Sequence, residues 1–242
     1  MTVRLSLTVL GGLLLAFLIA YGAFELIDLA SRHSFDVRAG YAGVRSLEVD
    51  GGSGDVHLTA GAAGSEVIVV EHVTEGLTSP DRKAVRGTGG ALRLSASCRV
   101  GVSNNCGVSY TIAVPAGVAV NADSGDGNVD ARGLSANGPV ELSSGNGNVN
   151  AVGIDAANVT LKSGNGDVTA TLDRAPAQLD ASSGNGDVRL TVPNATYAVR
   201  ATSGNGTVSD DTLRIDPSSP RSITANSGNG DVTVRATGPR TG

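Results

Sequence analysis

One hexapeptide, Ser-Gly-Asn-Gly-Asp-Val, recurs through the second half of the chain and restricts what that half can fold into. Three copies are identical, and the other three differ from them at one or two positions. The six copies begin at Ser124, Ser144, Ser163, Ser183, Ser203 and Ser227. Successive copies are 20, 19, 20, 20 and 24 residues apart. A repeated pattern with a period in this range predicts stacked supersecondary units.

The residues on both sides of each phrase alternate between apolar and polar. Around Ser163, for example, Val159 and Leu161 lead into the phrase, and Val168 and Ala170 follow it, with polar residues between them. Strict alternation of this kind predicts strands that bury one face. Each unit is therefore predicted to consist of a strand, a tight turn, a second strand and a looser connection.

Two architectures fit this pattern. In a meander each Asn-Gly would be a hairpin turn, whereas in a solenoid each unit is one rung stacked on the next. An open meander would need about 12 strands from the repeats alone, and twisted open sheets rarely exceed about ten. A meander also gives no reason for identical residues to return at a fixed period. We therefore predict an all-β, single-stranded β-solenoid with rungs of about 20 residues, in which six rungs would span about 29 Å.

The phrase itself is predicted to form the corner of each rung. Glycine on both sides of the central residue allows positive φ, and asparagine tolerates the left-handed region. Stacked asparagine side chains can bond to one another along the rod. The inward serine can cap a backbone group, and the aspartate at the fifth position can accept backbone N–H groups in the turn. The predicted structural residues are Ser124, Asp126, Ser144, Asn146, Ser163, Asn165, Ser183, Asn185, Ser203, Asn205, Ser227 and Asn229.

Composition limits both the core and the partners. The chain has 242 residues, with 34 glycines, 3% aromatic residues and no tryptophan. Its core must therefore use Val, Leu, Ile and Ala in narrow layers. The formal net charge is −5, and because nucleic-acid surfaces are basic we expect no nucleic-acid partner. The spacing of Cys98, Cys106, His33, His57 and His72 does not match a metal site, and we expect no cofactor.

The N-terminal segment predicts a membrane anchor. Residues 5–24 carry no charge, and a helix of about 20 apolar residues spans the hydrocarbon layer. Arg4 precedes the segment, whereas Glu25 and Asp28 follow it, and basic flanks tend to stay in the cytoplasm. Residues 1–28 are predicted to be a single-pass anchor in the cell membrane, with a cytoplasmic N-terminus and an extracytoplasmic remainder. The alternative is a signal peptide cleaved near residues 20–22, which would release a secreted protein.

Four further segments follow the anchor. Residues 29–43 are aperiodic and are predicted to be a juxtamembrane linker, and residues 44–118 to be a first β section without the full phrase. Residues 119–236 are the solenoid repeats, and 237–242 a tail. Cys98 and Cys106 stand at the facing ends of two predicted strands with seven residues between them. In an exported protein we expect them to form a disulfide; the alternative is a pair of buried thiols.

The N-terminal apolar segment, the Cys98/Cys106 pair before the strand that ends at Val114-Pro115, and the run of Ser-Gly-Asn-Gly-Asp-Val units together resemble a bacterial family. It is the "putative adhesin" family of unknown function, an exported cell-surface β-solenoid domain, and the resemblance covers about residues 44–236. The resemblance implies a right-handed solenoid outside the membrane, and some members of the family are linked to cell-envelope stress. It implies no catalytic residues.

Calcium binding is one alternative explanation of the phrase. Gly/Asp-rich repeats that bind calcium have a period of nine residues, whereas the period here is about 20. The central position is Asn in five of six copies, and each turn offers about one carboxylate. Hard cations require several oxygen ligands. We therefore expect turn-forming structure rather than a calcium site.

A β-helix carbohydrate-active enzyme is a second alternative. It would need paired carboxylates at a groove. Asp210 and Asp211 are adjacent and would point apart on a strand, whereas Asp180 and Asp187 flank a turn, where solvated carboxylates are expected. Tyr197 is the only aromatic residue of the repeats, so there is no aromatic platform for a sugar. We expect no enzymatic activity.

The sequence therefore predicts a surface scaffold or adhesin-like interaction module, with a cell-envelope polymer or protein as its partner. The alternative is a self-associating envelope protein. The end rung of a solenoid exposes unpaired backbone groups, and natural proteins normally cover such edges. If the rungs stack in chain order, only residues 237–242 remain to cover the C-terminal end.

Overall fold

The computed structural model describes residues 14–23, 31–62, 64, 66–98, 106–210 and 212–237. Residues 14–23 form an α-helix whose side chains are exposed. In the described part of the chain, no helix combines the length and the apolar character needed to cross a membrane. Several predictions fall on residues outside the described part: 1–13 and 24–28 of the anchor, 99–105 between the cysteines, and 238–242 of the tail.

The described residues from Ser31 onward are almost entirely β-structure. A short 3-10 helix spans Thr88–Gly90. The strands are β1 His33–Tyr41, β2 Ser46–Asp50, β3 Val56–Ala60, β4 Val67–Glu75, β5 Asp81–Arg86, β6 Ala91–Ser97, β7 Gly107–Val114, β8 Ala119–Ser124, β9 Val129–Arg132, β10 Val140–Ser144, β11 Val149–Ile154, β12 Asn158–Ser163, β13 Val168–Leu172, β14 Gln178–Ser183, β15 Val188–Val192, β16 Thr196–Ser203, β17 Val208–Ser209, β18 Arg214–Ile215, β19 Ser222–Ser227 and β20 Val232–Ala236.

Two ten-stranded sheets face each other, and each rung contributes one strand to each sheet. Sheet A has the order β1-β4-β7-β3-β9-β11-β13-β15-β20-β17. Sheet B has the order β18-β16-β19-β14-β12-β10-β8-β2-β6-β5. Eight rungs follow from this order: β6/β7, β2/β3, β8/β9, β10/β11, β12/β13, β14/β15, β19/β20 and β16/β17. The Ser-Gly-Asn-Gly corner connects the two strands of a rung.

Neighbouring rungs pair in parallel, one repeat apart. Ser144 pairs with Ser124 on one side and with Ser163 on the other. Val149 pairs in the same way with Val129 and Val168. The two strands that flank a phrase lie in different sheets, so the phrase is not a hairpin turn and the meander is excluded. The all-β, solenoid-like fold predicted from the period is confirmed.

The rungs do not stack in chain order at either end. β6/β7 lies outside β2/β3, although it follows it in sequence. At the other end, β19/β20 lies between β14/β15 and β16/β17, so the last rung of the chain is the last but one of the stack. The expectation that only the C-terminal tail remains to cover this end is therefore wrong. β16, β17 and the short strand β18 form the C-terminal end instead.

Antiparallel strands cap the N-terminal end. In sheet A, β4 pairs antiparallel with β7, and β1 pairs antiparallel with β4 over its full length. In sheet B, β5 pairs antiparallel with β6. Most of the predicted linker 29–43 is therefore the edge strand β1. The residues of β1 are mostly exposed, because an edge strand at the end of the stack buries little of either face. Its sequence therefore lacks the alternation of apolar and polar residues by which a half-buried strand is recognised.

The core is a narrow layer of inward-facing aliphatic side chains between the two sheets. One rung shows the arrangement: Val159, Leu161, Val168, Ala170 and Leu172 are all buried. Among the described residues, aromatic side chains are completely buried only near the two ends of the core, at Tyr110 of β7 and Tyr197 of β16. The composition therefore matches the fold, because large rings are confined to the two terminal rungs.

The connections between rungs are more ordered than predicted. Leu134 and Ile154 of successive connections are buried in the core. Their backbones also pair between rungs, since Asp155 N–H donates to Leu134 O at 2.8 Å. Gly133 and Gly153 have φ of 66° and 68°, in the left-handed region that glycine readily adopts. These connections close each rung into a continuous coil.

Candidate functional site

The phrase forms a corner of the same structure in every rung from β8/β9 onward, and these corners stack on one another. The stacked corners are therefore the candidate site. They lie along one side of the rod, where the chain passes from sheet B to sheet A. Each position of the phrase forms its own column of stacked residues. The stacking order is that of the copies beginning at 124, 144, 163, 183, 227 and 203.

The serine column is buried and joins each corner to the preceding rung. Ser163 Oγ accepts a hydrogen bond from Gly166 N–H at 2.8 Å in its own turn. It also donates to Gly147 O of the preceding rung at 2.8 Å. Each of the six serines donates to the preceding corner in this way, over 2.7–2.8 Å. Five of the six are buried; the exception is Ser203 in the terminal rung.

The central position of the phrase forms a ladder of side-chain amides. Asn146 Nδ2 donates to Asp126 Oδ1 at 2.7 Å, and Asn165 Nδ2 donates to Asn146 Oδ1 at 2.7 Å. Asn185, Asn229 and Asn205 extend the ladder with bonds of 2.6–2.8 Å. Every amide donates toward the N-terminal end. Asp126 therefore stands where the ladder needs only an acceptor, which explains why a carboxylate replaces the amide in this copy.

The fifth position forms a second column, whose side-chain oxygens accept backbone N–H groups. Asp187 N–H donates to Asp167 Oδ1 at 2.8 Å, and Asp231 N–H donates to Asp187 Oδ1 at 2.7 Å. The aspartates thus accept N–H groups of the next rung rather than of their own turn. Thr207 N–H and Oγ1 both donate to Asp231 and lower the pKa of its carboxyl. Arg189 forms ion pairs with Asp167 and Asp187.

The glycines of the phrase serve close stacking rather than positive φ. None of them has φ in the left-handed region, so the predicted explanation of these glycines is wrong. A Cβ on Gly166 would lie 2.4 Å from Gly147 O, and a Cβ on Gly164 would lie 2.2 Å from Gly145 O. A rung spacing of roughly 4.8 Å leaves no room for a methyl group. Asparagine also keeps negative φ throughout the ladder, since no residue other than glycine has positive φ in the described part.

The sequence shows one further corner only in part, as the shortened phrase Ser53–Val56. Gly51–Val56 stacks on the phrase that begins at Ser124, because Asp50 pairs with Asp123 and Val56 pairs with Val129. Gly51 takes the serine position and Ser53 takes the asparagine position. The shared Gly-x-Gly-x-Val spacing could have identified the whole corner, although only Ser53–Val56 resembles the phrase closely.

The two cysteines are joined as the sequence predicts. The Cys98–Cys106 disulfide connects the end of β6 to the start of β7. It therefore occupies, in the first rung, the place that the Ser-Gly-Asn-Gly corner has in the others. The covalent bond joins the two strands of a rung that has no preceding rung on which to stack.

The three histidines lie at the N-terminal end of the molecule and each faces a carboxylate. The pairs are His33–Glu75 at 2.8 Å, His57–Asp130 at 3.2 Å and His72–Asp36 at 2.8 Å. Two of these pairs connect β1 to β4. A hydrogen bond to Ser31 O and the partner Glu75 raise the pKa of His33 above 6.5. The two pairs between β1 and β4 help to attach the edge strand, whereas the His57–Asp130 pair connects β3 to β9.

Charged side chains also cover the inner face of β1. Arg82 of β5 forms an ion pair with the largely buried Glu71 at 2.6 Å, and its guanidinium lies 5.9 Å from the centre of the Phe35 ring. Arg86 lies 5.5 Å from the ring of Tyr41. Tyr110 is buried beneath this cluster without a hydrogen-bond partner for its hydroxyl, and burial raises its pKa.

The corners show how the reactive groups of the phrase are used. Serine hydroxyls, amides and carboxylates are engaged in bonds between rungs, and the described residues include no group of three or more His, Cys, Asp or Glu side chains placed to hold a metal ion. Asp180 accepts a bond from Gln178 Nε2 at 2.6 Å, whereas Asp187 forms an ion pair with Arg189. Asp211, the neighbour of Asp210, lies outside the described residues.

Comparison with known proteins places this arrangement in a family. The sequence profile of the Toastrack DUF4097 family matches residues 30–238. A crystal structure named a "putative cell adhesion protein", from Clostridium sporogenes, is 15% identical, with a TM-score of 0.51; the match covers 85% of this chain and 100% of that chain. A "putative adhesin" from Bacteroides fragilis is 16% identical, with a TM-score of 0.44 and coverage of 85% and 97%. Among curated protein sequences, none matches this chain.

Proposed function

The chain belongs to the Toastrack DUF4097 family, and from this premise we propose that it is a non-enzymatic, adhesin-like interaction module of the cell surface. One observation carries the proposal: the polar groups of the phrase are used to stack the corners. A column whose hydroxyls, amides and carboxylates are committed to neighbouring rungs supports a rigid rod better than it supports a reaction. The name of the structurally similar Clostridium sporogenes protein agrees with an adhesive role.

The proposal includes anchoring and export. The helical residues 14–23 expose large apolar side chains, among them Leu14, Phe17 and Ile19. Exposed apolar side chains of this density favour a lipid environment over water. The disulfide favours an oxidising compartment. A single-pass anchor with the rod outside the membrane accounts for both the exposed apolar helix and the disulfide. We also include in the proposal a right-handed coil and a link to cell-envelope stress.

Export and anchoring can be tested on intact cells. Alkaline carbonate extraction should leave the full chain in the membrane fraction, and protease added outside the cells should digest residues 31–237. Recovery of a shortened chain in the medium would instead support a cleaved signal peptide. Protection of the chain in intact cells, together with digestion after the cells are lysed, would contradict an extracytoplasmic rod.

Binding is tested with the full chain held in detergent micelles and immobilised through its C-terminus. Purified envelope polymers and detergent-solubilised envelope proteins are passed over it, and the mass bound is recorded. We expect saturable, reversible binding of at least one envelope fraction, with the length of the polymer unchanged afterwards. Shortened polymer would contradict the non-enzymatic proposal, and no binding of any fraction would contradict the interaction module.

A further inference from the structure

The two ends of the stack are finished differently. Charged antiparallel strands cover the N-terminal end, whereas β16 and β17 end the stack at the other side. β17 pairs only with β20 in the described part of the chain. β16 pairs with β19 on one side, and on its other side β18 covers only Thr196 and Tyr197. Within the described residues, the outer edge of β16 is therefore unpaired from Ala198 to Ser203.

The terminal rung is also less buried than its equivalents. Val208 is 43% exposed, whereas Val129, Val149, Val168, Val188 and Val232 at the same position are all 0% exposed. Val199 and Ala201 are only half-buried. Thr207 occupies the position that carries Asp in the three identical copies, so this corner of the end rung bears no charge. Strand edges exposed to solvent are usually blunted with charge. Within Ala198–Ser203 the one charged residue is Arg200 on the outer face, and the inward-facing Val199, Ala201 and Ser203 are uncharged.

The edge has a self-complementary register. Ala198 N–H donates to Arg221 O at 2.8 Å, so the even-numbered residues of this stretch direct their backbone groups toward β19. Val199, Ala201 and Ser203 therefore direct their N–H and C=O groups outward, because successive residues of a strand alternate. These three residues are spaced evenly about Ala201.

We propose that β16 pairs antiparallel with β16 of a second copy, with Ala201 on the two-fold axis. Ala201 then faces Ala201 of the second copy, and Val199 faces its Ser203. All three outward residues obtain hydrogen-bond partners. The second copy is the occupant because the edge is its own complement, and isologous two-fold contacts are the commonest form of self-association.

The side chains tolerate this register. The residue at the axis is alanine, so the two copies can approach there without a clash. On the outer face Arg200 is opposite Thr202 of the second copy, so no like charges lie directly opposite each other. Pairing would also extend sheet B continuously from one copy to the next and cover Val208 and Val199.

The geometry has a consequence for the membrane. A two-fold axis perpendicular to the rod places the two N-terminal ends at opposite ends of the pair. Sixteen rungs at ~4.8 Å separate them by roughly 77 Å. The pair would therefore join two surfaces rather than two neighbours on one surface. This step rests on the proposed anchoring, whereas the pairing of β16 does not.

Cysteine cross-linking tests the register. Arg200 and Thr202 of the second copy form a pair that is not hydrogen-bonded, with Cα atoms about 4.5 Å apart, which a disulfide can bridge. The described part of the native chain contains no free cysteine. Full-length Arg200→Cys and Thr202→Cys chains are purified separately in detergent, mixed and oxidised. We expect a covalent dimer in the mixture and little in either variant alone.

The matched control is the capped end. Lys83 and Val85 are exposed on the edge strand β5 with the same spacing, and a mixture of Lys83→Cys and Val85→Cys chains should not cross-link. No dimer in the Arg200/Thr202 mixture, or equal dimer in both mixtures, would overturn the proposal. Loss of cross-linking with envelope binding intact would overturn this inference and leave the proposed function standing.

A second measurement needs no cysteine. Val208→Lys should weaken dimerisation of the full chain by about tenfold or more, because pairing of β16 would cover Val208 of β17 and burying a lysine there is costly. Val85→Lys, which alters a valine that is 55% exposed at the capped end, should leave dimerisation unchanged. Sedimentation in detergent reads the mass, and circular dichroism verifies that both variants fold. A monomeric native chain, or equal dimerisation of both variants, would contradict the assigned edge.

Discussion

The repeats and the N-terminal section use different means to hold the same two sheets together. From β8/β9 onward, corner residues bond to the corner below, and glycine allows the close approach. The section from Ser31 to Gly117 has the Gly51–Val56 corner, but at its outer end a disulfide, histidine–carboxylate pairs and arginines over aromatic rings take that role. The difference shows that a periodic corner needs a neighbour on which to stack, whereas an end needs contacts that are complete without one.

Substitution of a corner glycine should give the largest difference in stability between the repeats and the N-terminal section. Gly166→Ala should destabilise the protein by about 3 kcal/mol, because its Cβ would meet the backbone of Gly147 at 2.4 Å and overpacking costs up to about this amount. Gly107→Ala in the N-terminal section should change stability by less than ~0.5 kcal/mol, because its Cβ would have no neighbour within 4 Å. Thermal unfolding followed by circular dichroism measures both. Similar melting temperatures for the two variants would refute the steric account of the corner.

The disulfide probes the other side of the comparison. A Cys98→Ser/Cys106→Ser double variant should lose about 2–3 kcal/mol, the loop-entropy value for a short closed loop. The loss should be concentrated in β6, β7 and their neighbours, because these strands carry the bridge. Hydrogen exchange resolved by segment measures it. Uniform loss of protection through β12–β15 would show that the first rung is not an independent support.

The amide ladder predicts a smaller effect that depends on position. Asn165→Ala removes one hydrogen bond on each side, to Asn146 and to Asn185. The free energy of unfolding should fall by about 1 kcal/mol, because each of two exposed hydrogen bonds contributes about 0.5 kcal/mol, the lower end of the usual range. Asn205→Ala removes only the bond to Asn229 and should cost about half as much. Urea unfolding of the two variants gives the difference. A larger loss at Asn205 than at Asn165 would contradict the assignment of two ladder bonds to Asn165 and one to Asn205.

The stability of the two regions should depend on pH in opposite directions. We expect these changes in stability to be smaller than those of the preceding variants. The lowered pKa of Asp231 means that its contribution is present above its ordinary value of 3.8 and is lost as pH falls through the folded-state value. The raised pKa of His33 means that its contribution is present below 6.5 and is lost as pH rises through the folded-state value. Asp231→Asn should flatten the acid limb of the melting temperature, and His33→Gln the alkaline limb. A variant that alters both limbs would show that the regions are coupled.

The period predicts the rungs, their parallel register and the inward residues, because one-repeat pairing places the alternating apolar positions of the repeat strands on one face. The order of the rungs could not be predicted. Six nearly identical corners are interchangeable as neighbours, so periodicity alone cannot assign a position to the last one. The edge strand β1 was also missed, because its nine residues bury little and are held by backbone bonds to β4 rather than by an apolar pattern.

The predicted role of the phrase glycines, to allow positive φ, was wrong because the effect of a neighbouring rung cannot be read from one copy. A Gly-Asn-Gly sequence is compatible with positive φ in an isolated turn, and nothing in a single copy distinguishes that requirement from crowding by the next rung. The stacked arrangement makes crowding the stronger constraint. In the connections, Gly133 and Gly153 do adopt positive φ, although the sequence around them gives no strong turn signal.

The inverted order of the last two rungs has a consequence for how the chain reaches its final shape. The chain is synthesised from its N-terminus, so β16/β17 is complete before β19/β20 has been made. The corner of β16/β17 can stack on the corner of β14/β15 as well as the corner of β19/β20 can, because the three corners are nearly identical in sequence. An early contact between them would have to open again to admit residues 222–236. We therefore expect maturation to finish with an insertion rather than an addition, and a chain halted before residue 222 to close on the wrong neighbour.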